Sequence, residues 1–252
     1  VMNLFSITGE RHQRISNLPT RLDTNERERK IQEIDNTFGA SLQNINEWIC
    51  QEVAPYPQFV PFISADPIAL PGEAGANHIQ HMVETKGARG LKLHPILQDF
   101  NVSDSRMFPI YTICEKLNVP ILVHSGPAKG GIAVAEPKSF ARALEAFPNL
   151  SFVLAHMGGG SWQQLTTISE AYPNAFFDCC EIIEWTGATK APNKQQLAQL
   201  IKDVGPERVI MGSDFPWYDL ENQIELIMDL PILSLEEKEG ILGPNAERIL
   251  SL

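Results

Sequence analysis

Four apolar runs in this chain each end in a polar residue able to do chemistry, and they recur at nearly one interval. They are Gly90-Leu-Lys-Leu-His94, Pro120-Ile-Leu-Val-His124, Phe152-Val-Leu-Ala-His156 and Val209-Ile-Met-Gly-Ser-Asp214. From His94 to His124 is 30 residues, from His124 to His156 is 32, and from His156 to Asp214 is 58, close to two more steps. A short buried strand, a helix and two loops take about 30 residues, so the stride is that of repeated βαβ units. Barrels of such units carry their chemistry where strands end, at the C-terminal face. Three histidines and an aspartate at strand ends therefore point to an enzyme site.

The length of 252 residues suits one (β/α)-barrel domain spanning residues 1–252. With 43% hydrophobic and 20% charged residues, the chain can bury a large core. Its net charge of −11 argues against a nucleic-acid partner, whose footprint would be basic. No apolar run approaches the ~20 residues of a membrane span, and the start lacks a signal-peptide pattern. The expectation is a cytoplasmic protein without membrane attachment. Cys50, Cys114, Cys179 and Cys180 form no CxxC spacing, so they read as reduced, buried thiols.

Seven strands are expected: Met2–Ile7, Phe59–Ser64, Gly90–His94, Pro120–Ser125, Phe152–His156, Ala175–Cys180 and Val209–Ser213. Most are continuous apolar runs, as in parallel strands covered by helices on both faces. Asp23-Thr-Asn-Glu26 resembles a capping box opening a charged helix. Leu42, Ile45, Trp48, Ile49 and Val53 form an apolar stripe at helical spacing. Ser105 to Leu117 reads as a helix with Pro109 in its first turn, and Ser139 to Ala146 as another. Ser234 and Glu237 cap a late helix that Gly243-Pro244 stops, and Ala246–Leu250 starts one more. Strand and helix alternate along the whole length, which means α/β architecture. A TIM-type (β/α)8 barrel needs one strand more than the seven found, as though a first βα unit were missing. An open doubly wound sheet is the alternative.

Side chains two apart on a strand share a face, so Lys92 points with His94 and Gly212 with Asp214. Helices cover the outer face, so these polar residues are expected to face the lumen. Imidazole and carboxylate are favoured ligands of zinc and related ions, and their convergence suggests a mononuclear metal site. Each histidine could instead be a core residue bonded to backbone, and Lys92 with His94 a structural pair. His78 and His81 lie on a helix and read as solvated. Gly158-Gly-Gly160 reads as a strand-to-helix loop that lets substrate approach, since its spacing fits no phosphate fingerprint. Trp185 and Trp217 could wall a pocket.

Together Gly90-Leu-Lys-Leu-His-Pro95, Leu122-Val-His-Ser-Gly126, Leu154-Ala-His-Met-Gly-Gly159 and Gly212-Ser-Asp-Phe-Pro-Trp217 resemble four strand signatures of amidohydrolase-related metal-dependent hydrolases. That branch of the amidohydrolase superfamily also contains aminocarboxymuconate-semialdehyde decarboxylase. The ending Gly243-Pro-Asn-Ala-Glu-Arg-Ile-Leu250 is similar to the family's C-terminal helix. The resemblance implies that His124 and Asp214 are metal ligands and that Asp214 also serves as general base. It further implies that His156 polarises substrate or shuttles a proton, while Lys92, His94 and Trp217 face the substrate. The implied cofactor is one divalent ion, zinc first, with manganese or iron as alternatives. The resemblance also makes a homodimer reasonable. Family members open with a His-x-His pair on their first strand. None occurs here, so the resemblance implies that the N-terminal unit is absent from this chain.

The expected activity is hydrolysis of a small, carboxylate-bearing molecule by a metal-activated water. The alternatives are a carboxy-lyase with the same ligands and a non-catalytic binding or scaffold barrel. Substrate identity is expected to lie in loops such as Pro127–Pro137 and Cys180–Lys194, which no spacing rule reads.

Overall fold

Every interior apolar run forms a parallel strand, in each case shorter than its apolar stretch. The computed structural model describes residues 1–2, 4–128 and 133–252, so residues 129–132 of the 127–137 loop fall outside it. The chain gathers into two compact units. One comprises Val1–Phe100 with Asp104–Val119, the other Asn101–Ser103 with Pro120–Leu252.

In the first unit, α1 (Thr8–Ser16) and the 30-residue α2 (Thr24–Val53) precede β1 (Phe62–Ser64). Then come α3 (Gly72–Lys86), β2 (Gly90–Leu93), the short α4 (Pro95–Gln98) and α5 (Phe108–Lys116). The expected capping box opens α2: Asp23 accepts from the Glu26 amide, and Glu26 accepts in return from the Asp23 amide. Strands β1 and β2 are parallel, with Ser64 opposite Lys92. Pro109 sits in the first turn of α5, where a missing N–H is harmless.

Met2–Ile7, expected as a strand, is not one in its described residues; Asn3 lies outside them. Met2 makes a single parallel bridge to Phe62, and Val1 bonds to Val60 and Phe62. Further on, the Phe5 amide donates to the Ser64 hydroxyl at 3.3 Å. Ile7 packs with Phe38, Leu42 and Ala69, so the apolar residues here serve a helix contact. His78, expected in solvent, is buried, whereas His81 is exposed. The reason is helical phase: Gly75, Ile79 and Met82 are buried on the same face of α3.

His78 joins a buried polar link around Asn46, itself fully buried in α2. Asn46 Nδ2 donates to the Ser64 carbonyl at 2.9 Å and lies 3.0 Å from His78 Nε2. Its Oδ1 accepts from the Ser64 amide at 2.9 Å. One amide side chain thus satisfies both backbone groups of the last β1 residue.

The second unit alternates regularly. It runs β3 (Ile121–His124), α6 (Ala141–Ala146), β4 (Phe152–Ala155), α7 (Leu165–Ala171), β5 (Ala175–Asp178), α8 (Lys194–Val204) and β6 (Val209–Ile210). Three helices close it: α9 (Leu220–Met228), α10 (Leu235–Leu242) and α11 (Pro244–Leu250). The four strands pair in parallel and in chain order, with His124 opposite Ala155 and Asp178 opposite Ile210. Their carboxyl ends are therefore level. Phe152, Leu154, Phe177, Leu197, Ile201 and Val209 are fully buried between sheet and helices. The expected Ser234–Glu237 capping box opens α10. All four cysteines are free and buried. Among the described residues, no helix is long and apolar enough to cross a membrane.

Replacing Asn46 by Ala leaves a buried N–H and a buried C=O of β1 without partners. We expect a loss of about 3 kcal/mol, read as a lower urea midpoint. A loss below about 1 kcal/mol would show that other groups or water take over these bonds.

Candidate active site

The level strand ends of the second unit place one imidazole among several acids. His156 follows β4 directly and is buried. Its φ of 63° and that of Met157 at 44° are left-handed, which turns the chain sharply off the strand. The turn is held from beside: the Ser125 hydroxyl donates to the Ala155 carbonyl at 2.5 Å and accepts from the Gly158 amide at 2.9 Å. Glycines tolerate the positive φ values that follow, 76° at Gly158 and 51° at Gly159.

Four acidic or thiol groups converge on this ring. His156 Nδ1 lies 3.5 Å from Cys180 Sγ and 3.5 Å from Glu181 Oε2. Donor atoms of His156, Glu181 and Asp214 fall within 4.8 Å of one another, and so do those of His156, Asp178 and Cys180. Glu181 (φ 62°) and Asp214 (φ 48°) also sit in left-handed backbone. Such conformations are costly away from glycine and gather at functional sites. His124, at the end of β3, faces His156 edge-on with ring centroids 5.0 Å apart.

The electrostatics match the crowding. Burial and the Asp214 charge push the Glu181 carboxyl above its ordinary range. Burial, followed by the charges of Asp178 and Asp214, pushes the Cys180 thiol strongly up. Carboxylates held together around an imidazole, with this much unbalanced negative charge, form a donor set that suits a divalent cation. His124 packs against the His156 ring but belongs to neither donor cluster found among the described residues.

A cavity of about 160 Å³ opens onto this cluster, lined by His156, Glu181, Trp185 and Lys190 and by the backbone of Gly159 and Gly160. Trp185 is braced by its indole N–H, which donates to the Tyr218 hydroxyl at 2.8 Å. Trp162 donates to the Lys190 carbonyl at 3.2 Å and fixes the loop that carries this ammonium.

Of the residues singled out from sequence, His124, His156 and Asp214 belong to the second unit, where His156 joins Asp214 in one donor cluster and His124 in ring contact. Lys92 and His94 belong to the first unit. Lys92 is buried on β2, and its carbonyl accepts from the Ser64 hydroxyl at 3.3 Å. His94 caps α4, its Nδ1 accepting from the Leu97 amide at 3.4 Å and its own amide donating to Gln98 Oε1 at 2.8 Å. Trp217 stands 78% exposed and does not line the cavity; Trp185 does. Asp178, Glu181 and Lys190 escaped the sequence reading. Asp178 ends an apolar run as the others do, so the same rule finds it. Glu181 and Lys190 lie in an irregular loop with no periodic signal.

A parallel α/β sheet with a cluster of histidine, cysteine and acidic side chains at its strand ends defines the class: a barrel-type α/β fold. The solved structures agree on the fold. An uncharacterised TIM-barrel protein of Bordetella bronchiseptica matches with a TM-score of 0.68 and 20% identity, over 97% of this chain and 90% of that one. A dihydroxybenzoic acid decarboxylase of Polaromonas sp. JS666, with bound manganese and the inhibitor 2-nitroresorcinol, matches with a TM-score of 0.68 and 16% identity, over 85% of this chain and 76% of that one. The 2-amino-3-carboxymuconate-6-semialdehyde decarboxylase of Dictyostelium discoideum is 24% identical over 241 residues, 83% of this chain. The chain spans 66% of that relative's length. The amidohydrolase family's sequence profile matches residues 31–252, and the chain belongs to the amidohydrolase family.

Burial, reinforced by the Lys92 charge, lowers the His94 imidazole to about 4. Its folded pKa lies below the ordinary 6.5, so the fold favours the neutral ring. That stability is complete above pH 6.5 and is lost as pH falls from there toward about 4. An NMR titration should find His94 near 4, with Lys92→Met moving it upward. A His94 titration at 6.5 in the unmodified protein would contradict this.

Proposed function

We propose that this chain forms a metal-assisted carboxy-lyase site for small, conjugated or aromatic carboxylic acids. The observation that carries the reading is the His156–Glu181–Asp214 donor cluster at the wall of a single-ring-sized cavity. A cavity of about 150 Å³ admits benzene, so 160 Å³ accommodates one small ring. Hydrolysis, the first expectation from sequence, rests on the same donors. The decarboxylase names of the similar proteins favour the other chemistry.

His156, Glu181 and Asp214 would hold the ion, with the His124 ring packed against His156. Manganese or zinc both suit nitrogen and carboxylate ligands, and manganese is the ion in the Polaromonas relative. A divalent ion held there supplies a positive centre that draws in anionic substrate oxygens and stabilises developing negative charge. Lys190 offers a second cation at the cavity wall for a carboxylate. Trp185, at the cavity wall, would offer an aromatic face to a planar substrate. As the bond to the carboxyl carbon breaks, its electron pair stays on the substrate carbon and carbon dioxide leaves. A proton from water then takes the place of the carbon dioxide on that carbon, since His156 would be committed to the ion.

The decisive experiment loads the protein with manganese or zinc and offers a panel of aromatic and conjugated acids beside esters, lactones and amides. Release of carbon dioxide supports the proposal. Ester, lactone or amide cleavage without carbon dioxide would restore the hydrolase reading. Neither turnover nor metal uptake would leave the scaffold barrel. Asp214→Asn should lower bound metal by mass spectrometry and reduce kcat/KM by roughly 100-fold or more, since several kcal/mol of charge stabilisation depend on the ion.

A further inference from the structure

We propose a second, sulfur-containing cation site that shares His156 with the first. It consists of His156 Nδ1, a carboxylate oxygen of Asp178 and Cys180 Sγ, and takes a thiophilic divalent ion of the zinc or cadmium type. All three side chains are buried, at 5%, 5% and 1% exposure, and their donor atoms lie within 4.8 Å of one another. The 3.5 Å between His156 Nδ1 and Cys180 Sγ matches the roughly 3.5 Å that nitrogen and sulfur keep around a tetrahedral zinc.

The local backbone builds the cluster. Asp178 closes β5, and its Oδ1 accepts from the Cys180 amide at 2.9 Å. This tight turn brings residues 178 and 180 to the same imidazole, while Cys179 continues the ladder by donating to the Ile210 carbonyl. Across from them stands Gly212. A Cβ there would approach Asp178 Oδ1 to 3.0 Å and Cys180 Cβ to 3.2 Å, so a glycine lets the pair sit where it does. Among the described residues, Cys50, Cys114 and Cys179 join no such donor cluster.

The two donor sets differ in softness. His156 with Glu181 and Asp214 is a nitrogen–oxygen set that suits harder ions. His156 with Asp178 and Cys180 includes a thiolate, which selects zinc, cadmium or cobalt over manganese or magnesium. On binding, the Cys180 S–H bond breaks, the sulfur–metal bond forms and one proton leaves to solvent, with no change in oxidation state. His156 Nδ1 lies 3.5 Å from both the thiol and the Glu181 carboxylate, and one nitrogen cannot serve two ions. A thiophilic ion would therefore displace a harder one. That competition rests on the proposed function, whereas the site itself does not.

The test adds cobalt(II) to the metal-free full chain and reads the near-ultraviolet sulfur-to-cobalt charge-transfer band, which requires no turnover. The band is expected in the unmodified protein and in Asp214→Asn, and should vanish in Cys180→Ser. Should Cys180→Ser fail to fold, X-ray absorption of the zinc-loaded unmodified protein decides. A sulfur shell at about 2.3 Å beside nitrogen and oxygen at about 2.0–2.1 Å supports the site. A purely nitrogen–oxygen shell, a band that survives Cys180→Ser, or no cobalt-thiolate band in the unmodified protein would overturn it. Loss of carboxy-lyase activity alone would leave it standing.

Discussion

Negative charge crowded around one buried imidazole is the constraint on which the second unit turns. Asp178, Glu181 and Asp214 all supply oxygen donors within 4.8 Å of His156 in one cluster or the other. Carboxylates gathered in partly desolvated surroundings repel one another unless protons or a cation intervene. The upward shifts of Glu181 and Cys180 are the protein's response through protons. A divalent ion is the other response, and the donor chemistry suits it. Folding must therefore hold these groups together against their mutual repulsion.

The scaffold does that holding. Four parallel strands in chain order set β3 to β6 level, so residues just past each strand meet at one edge. His156, directly after β4, and Glu181 and Asp214, a few residues past β5 and β6, all sit in left-handed backbone. Each such conformation costs roughly 1–3 kcal/mol at a non-glycine residue, so the surrounding packing must over-determine it. Buried Phe152, Leu154, Phe177 and Val209 provide that packing beneath the site. The Ser125 hydroxyl, bonded to Ala155 and Gly158, fastens the turn after β4 from the neighbouring strand end.

The same logic separates the residues that lie at strand ends. Lys92 and His94 end an apolar run just as His124 does, yet His94 spends its Nδ1 and amide on capping α4. A strand-end position therefore marks a residue as a candidate for chemistry, and its local bonds set which of its atoms are already engaged. His78 makes the converse point. Its helical phase with Gly75, Ile79 and Met82 was readable, but its partner Asn46 sits 32 residues earlier, on another helix.

By itself, the sequence determined the interior strands, the capping boxes at Asp23 and Ser234, the α/β class and the strand-end candidates His124, His156 and Asp214. Each of these follows from short-range periodicity or from side chains that bond within four residues, which a linear pattern records. Tertiary structure alone decided that, among the described residues, Met2 makes a bridge to Phe62 while the Phe5 amide donates to the Ser64 hydroxyl. It alone brought Glu181 and Lys190 to the cavity, since an irregular loop has no period to read. It also placed Cys180 against His156, which depends on a turn after β5 and on the space left at Gly212. Contacts between residues distant in sequence and set by backbone direction are not written in any local pattern, and the chemistry of this site consists of them.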